Sequence, residues 1–148
     1  MTREEFIEIL KEKGYPYEIE GDKIIVTHEG WVYLTDLTSL PPDVEFKNGG
    51  AVNLESLKSL PPGVKFNNRG VVYLSSLPSL PPGVEFKNGW YVDLSSLTSI
   101  PPGVEFRNGG DVGLNSIIGG DFNEWKGNIE GVTSKMLLNL MIKRGMFI

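Results

Sequence analysis

The groups that could do chemistry in this chain are few. One histidine, His28, stands among 148 residues, and there is no cysteine. A lone imidazole acts as a general base only beside a group it can deprotonate, and zinc needs several ligands at once. His28 also falls at a position that asparagine fills elsewhere in the chain, so its expected role is structural. Ser39, Ser59, Ser79 and Ser99 each precede a Leu-Pro-Pro or Ile-Pro-Pro corner. A hydroxyl placed the same way four times reads as a turn residue bonding the local backbone, not as a nucleophile. The sequence has no P-loop, dinucleotide fingerprint or Gly-x-Ser-x-Gly. Its Asn-Gly-Gly runs do not lie between a strand and a helix, the context that phosphate binding requires. No enzyme activity, metal or cofactor is expected.

Aromatic side chains are the stronger chemical signal. Trp31, Tyr33, Tyr73, Trp90 and Tyr91, with Val71 and Asp93 at equivalent places, occupy positions that change from one part of the chain to the next. Tryptophan and tyrosine anchor protein interfaces, and they also stack on sugars, nucleotides and single-stranded bases. These seven residues are the candidate binding face. The alternative for them is packing, because aromatic and β-branched residues suit strands and some rings could lie under a terminal helix.

Their spacing comes from a twenty-residue repeat. Residues 30–49 read GWVYLTDLTSLPPDVEFKNG, and three further copies follow without a gap at 50–69, 70–89 and 90–109, then a decaying copy, GDVGLNSIIGG. The segment KIIVTHEG before them aligns with DVEFKNGG and opens the array with half a coil. Apolar residues recur at Val32, Leu34, Leu37, Leu40, Val44 and Phe46 and at their equivalents. Alternation in VxL and VxF marks two short strands per copy. Proline at SLPP fixes φ and cannot donate to a ladder, which sets one turn. Asn-Gly-Gly is expected to supply φ > 0 at the other.

Stacked coils place Val44 over Val64 and Phe46 over Phe66, about 4.8 Å apart. Each coil then buries six apolar side chains worth roughly 1.5–3 kcal/mol apiece before entropy is counted. Asn48, Asn68, Asn88 and Asn108 share the inward parity and predict an asparagine ladder serving backbone groups in the turn. The second outward face, Glu45, Lys65, Glu85 and Glu105 beside Lys47, Asn67, Lys87 and Arg107, reads as a solvated ladder of weak ion pairs.

The copies resemble the leucine-rich repeat family, in particular the short twenty-residue type with a Leu-Pro corner found in bacterial effectors and phage-like reading frames. The resemblance covers residues 24–118 and is carried by VxLxxLxSLPPGVxFxNGG. It implies a horseshoe. The asparagine, however, falls two residues after VxF instead of within LxxLxLxxNxL, so a right-handed β-solenoid with two strands per turn stands beside the horseshoe. The resemblance alone implies a viral antagonist of a host defence protein as one special case.

The expected fold is a mainly β repeat solenoid with α-helical caps, in one domain: residues 1–23 as N-terminal cap and lead-in, 24–118 as repeats, 119–148 as C-terminal cap. Thr2 and Glu5 predict a helix start, with Phe6, Ile9 and Leu10 on its apolar stripe. Phe122, Trp125, Ile129 and Val132 lead to a second helix from about Thr133 or Ser134. Met136, Leu137, Leu140 and Met141 lie on one side of it, Leu138 and Ile142 widen that surface, and Gly145 is the stop. The tail Met146-Phe147-Ile148 either packs on the final coil or pairs with a second copy, giving a homodimer.

A formal charge of −5 repels nucleic acid and tilts the partner toward a basic protein. No membrane span or signal peptide is read, and the absence of cysteine fits a cytoplasmic setting, bacterial or host. The functional expectation is a non-catalytic protein-protein interaction module, an inhibitor or adaptor. The alternatives are a small-ligand or nucleic-acid binder, or a self-assembling unit.

Overall fold

The twenty-residue period becomes a solenoid in which every full coil gives one strand to each of two sheets. A computed structural model describes residues 1–118 and 134–147. In chain order the elements are α1 (Arg3–Lys13), β1 (Tyr17–Glu20), β2 (Lys23–Val26), β3 (Val32–Tyr33), β4 (Val44–Phe46), β5 (Val52–Asn53), β6 (Lys65–Phe66), β7 (Val72–Tyr73), β8 (Glu85–Phe86), β9 (Val92–Asp93), β10 (Glu105–Phe106), β11 (Val112–Gly113), α2 (Asn115–Ile118) and α3 (Ser134–Lys143). One sheet runs β1-β2-β4-β6-β8-β10 and the other β11-β9-β7-β5-β3.

Every pairing along the coils is parallel and steps by twenty residues: Ile24 lies on Val44, Phe46 on Phe66, Phe66 on Phe86, Phe86 on Phe106. A slip of one residue would turn the core outward, so identical apolar columns lock the register. All six apolar positions in each of the four coils are buried. The phenylalanine rings stack with centroids 5.6, 5.3 and 5.1 Å apart, each pair tilted by 8°. The asparagine ladder forms as expected. Asn48 Nδ2 donates to the carbonyls of Gly30, Gly50 and Ala51, each at 3.0 Å, and Asn68, Asn88 and Asn108 repeat the pattern.

The proline corner forms the turn expected of it, but it also takes the left-handed backbone expected at Asn-Gly-Gly. Positive φ falls at the Pro-Pro-Gly corner, at Gly63, Gly83 and Gly103, with Asp43 taking φ 62° in the first coil, and not at Asn-Gly-Gly. At Asn-Gly-Gly the glycines allow close approach instead: a Cβ on Gly49 or Gly89 would lie 2.1 or 2.3 Å from a carbonyl oxygen of the preceding coil. The wound chain brings backbone onto backbone there, and Arg69 shows that the column is not closed to side chains.

Both ends are covered. Thr2 Oγ1 accepts from Glu5 N at 3.1 Å, Phe6 and Leu10 enter the core, and Gly14 ends α1 in the left-handed region. The lead-in adds a strand the repeat pattern did not reveal: β1 folds back antiparallel on β2 and puts Glu18 and Glu20 on the sheet's edge, where charge discourages further pairing. At the far end α3 starts at Ser134 and Gly145 closes it with φ 71°. Its packed face is Leu138 and Ile142, while Met136 and Leu140 are exposed and Leu137 and Met141 half-buried. This differs from the stripe read in the sequence, because a helix so rich in apolar residues offers more than one face. Phe147 packs on the core and its carbonyl accepts from Ile100 N at 2.9 Å. Phe122, Trp125, Ile129, Val132, Thr133 and Ile148 lie outside the described residues. No helix among the described residues is long and apolar enough to cross a membrane.

Candidate functional site

The seven candidate residues lie in and beside the strands of the five-stranded sheet. Side chains alternate along a strand, so with Val32 and its equivalents buried, the residues on either side of them point out. Two columns result, Trp31-Ala51-Val71-Tyr91-Asp111 and Tyr33-Asn53-Tyr73-Asp93-Gly113, and the second is fixed by the pairings Tyr33 with Asn53, Asn53 with Tyr73 and Tyr73 with Asp93.

Three of the rings come together. Trp31 stacks on Tyr33 with centroids 5.6 Å apart and reaches Tyr73 at 6.5 Å. Tyr73 belongs to the third coil, so the indole crosses the second, where small residues make room. Trp31 Cδ1 is 2.7 Å from where a Cβ on Gly50 would sit, and Ala51, nominally outward, is only 2% exposed. Trp31 and Tyr33 still present 47% and 48% of their surface, and Tyr73 is half-buried. Tyr15 supports this cluster: its hydroxyl accepts from Tyr33 N at 3.0 Å, its ring meets His28 at 4.9 Å, and it thereby caps the outer edge of β3.

Trp90 stands apart. It fills the corner column that glycine holds at 50, 70 and 110, is 62% exposed, and makes no ring contact with a described residue. Val71 and Tyr91 beside it are half-buried. Asp93 Oδ1 accepts from Ser95 N at 3.1 Å, closing a local turn. The aromatic surface is therefore a three-ring shelf plus one separate indole.

His28 keeps to the ladder position, half-buried against Tyr15, with its carbonyl accepting from Gly49 N. Among the described residues no group of three His, Cys, Asp or Glu stands where it could hold a metal ion. On the six-stranded sheet the expected pairing across coils forms between Arg107 and Glu85 at 3.5 Å, and further pairs lie within single coils, Glu85 with Lys87 at 3.4 Å and Arg107 with Glu105 at 2.9 Å. Glu45 departs from its expected place in solvent. It is 6% exposed, because Lys23 and Lys47 close over it and Asn67 Nδ2 donates to it at 2.9 Å. Its charge is compensated locally and offers nothing to a ligand.

The chain matches no family model, no curated protein and no solved structure.

Proposed function

We propose that this chain is a non-catalytic protein-binding module that engages its partner through the five-stranded sheet, acting as an inhibitor or adaptor by occupying the partner's surface. The observation that carries the reading is the exposure of two tryptophans, Trp31 and Trp90, on positions that vary between coils while the core columns stay constant. Exposed indoles add nothing to the solenoid's core, and tryptophan is enriched where binding energy concentrates. The resemblance to phage-like repeat proteins adds antagonism of a host protein as a special case.

The test is affinity capture from a lysate of the source or host organism, comparing the natural chain with Trp31→Ala/Trp90→Ala at matched thermal stability. Loss of a hot-spot aromatic costs about 2 kcal/mol or more, so the double variant should lose at least about thirtyfold in affinity for the captured protein. Equal capture by both forms would remove the face from consideration.

A second reading has its own observation. Leu140 is 47% and Met146 61% exposed on the outer side of the C-terminal cap, which suits association of two copies. A mass that rises with concentration, and that Leu140→Lys returns to monomer, would establish it.

A further inference from the structure

The formal charge of the repeats is unevenly distributed around the coil. The arc from the Asn-Gly turn through the five-stranded sheet, residues 29–36 and the four equivalent windows, carries Glu29, Asp36, Glu55, Asp93 and Asp111 against Arg69 alone. The rest of each coil, residues 37–48 and the three equivalent windows, carries four acidic and five basic residues. The repeats thus give the face with the aromatic shelf a net four negative charges, of which Asp36 is paired with Lys13 of α1 at 3.9 Å, and leave the opposite face close to neutral.

From this segregation, and resting on the reading of the aromatic face as a binding surface, we infer that the occupant of the face is a cationic segment of a partner protein, seated by an arginine that lies on the Trp31–Tyr73 rings with Asp93 as its counter-charge. A guanidinium is planar, stacks on aromatic faces and pairs with a carboxylate while stacked. Asp93 is the direct neighbour of Tyr73 across the β7–β9 pairing, one strand spacing of about 4.8 Å away.

The fold does not need the charge on Asp93. Its Oδ1 closes a turn by accepting from Ser95 N at 3.1 Å. Two coils earlier the neutral Asn53 makes the same bond, its Oδ1 accepting from Glu55 N at 3.1 Å. An amide therefore serves the turn as well as a carboxylate does, and the negative charge at 93 is surplus to it. For the same reason Asp93→Asn is a substitution that the solenoid should accept unchanged.

The experiment uses the full chain labelled with 15N and follows the indole N–H signals of Trp31 and Trp90. The probes are an acetylated, amidated peptide of alternating glycine and arginine, and the same peptide with citrulline, a neutral arginine isostere. The arginine peptide should shift the Trp31 signal to saturation, and citrulline should not. Asp93→Asn and Trp31→Ala should each weaken the arginine peptide by about two- to fivefold, the range for exposed cation–π and ion-pair contacts. For Trp31→Ala the binding is read on the Trp90 signal and by calorimetry. Equal shifts from both peptides would overturn the cationic occupant yet leave a binding face. No shift at Trp31, or affinity unchanged in both variants, would overturn the inference as well. The lysate comparison of Trp31→Ala/Trp90→Ala separately decides whether the face binds anything.

Discussion

Asn88 is 1% exposed and turns its Nδ2 toward three carbonyls, Gly70 at 3.1 Å, Trp90 at 3.2 Å and Tyr91 at 3.1 Å. Two of these belong to its own turn and one to the equivalent turn a layer earlier, so one side chain ties successive turns together where no strand pairing runs. Its Oδ1 has no partner among the described residues, which identifies the donor as the useful end of the amide. Asn88→Asp keeps the volume and replaces the donor with an oxygen facing three others. Since a buried polar group left unpaired costs about 1–3 kcal/mol, urea unfolding should show a loss of at least about 2 kcal/mol. A loss below 0.5 kcal/mol, on the order of an ordinary surface change, would mean that the ladder is incidental. The ladder was legible in the chain because asparagine repeats at an inward parity. The burial of Glu45 was not: its parity points outward, and only the arrival of Lys23 and Asn67 from the neighbouring coils, beside Lys47 of its own, covers it.

At the scale of elements, α3 seals the six-stranded sheet by imitating the strand that would come next. Asn139 Oδ1 accepts from Phe106 N at 2.7 Å and its Nδ2 donates to Phe106 O at 2.9 Å, while Lys135 donates to Asn108 O. An open strand edge is a template for further pairing, and one amide closes the two groups that β10 turns outward at Phe106. Asn139→Ala should cost roughly 1–3 kcal/mol, the range for unpairing buried backbone groups, and should speed hydrogen exchange at the Phe106 amide more than at Phe86 in the interior of the sheet. Equal protection at both sites would refute the strand-mimic role. The presence of a cap followed from the open end of any solenoid, and its start and stop were readable from Ser134 and Gly145. Asn139 was not readable, since nothing in its neighbours along the helix marks it as the residue aimed at a strand end. β1 escaped because it lies outside the repeat: Tyr17–Glu20 pairs with Lys23–Val26 as a hairpin closed by Gly21-Asp22, with Gly21 at φ 62°, a local device that the twenty-residue period does not carry.

As a whole, the molecule is an array whose stability comes from each coil and its contacts with its neighbours. Deleting residues 57–76 joins Ser56 to Leu77, equivalent points of successive coils, and leaves every column in register. The shortened chain should fold, with a smaller urea m-value in proportion to the surface lost. Deleting residues 57–75 shifts the following strands by one residue and turns their core side chains outward, so that chain should not fold. Cooperative unfolding of the second variant would contradict a register set by the columns. The sequence by itself determined the period, the two strands per coil, the core and the capped ends, because each follows from identical residues at identical spacing, and repetition leaves stacking one consistent register. Tertiary structure alone decided which outward residues meet. Trp31 reaches Tyr73 over the second coil only because Gly50 and Ala51 are small, and α3 offers Asn139 to β10 only because Leu138 and Ile142 turn that face inward. Such contacts depend on side-chain direction between elements far apart in the chain, and spacing along the chain does not encode that direction.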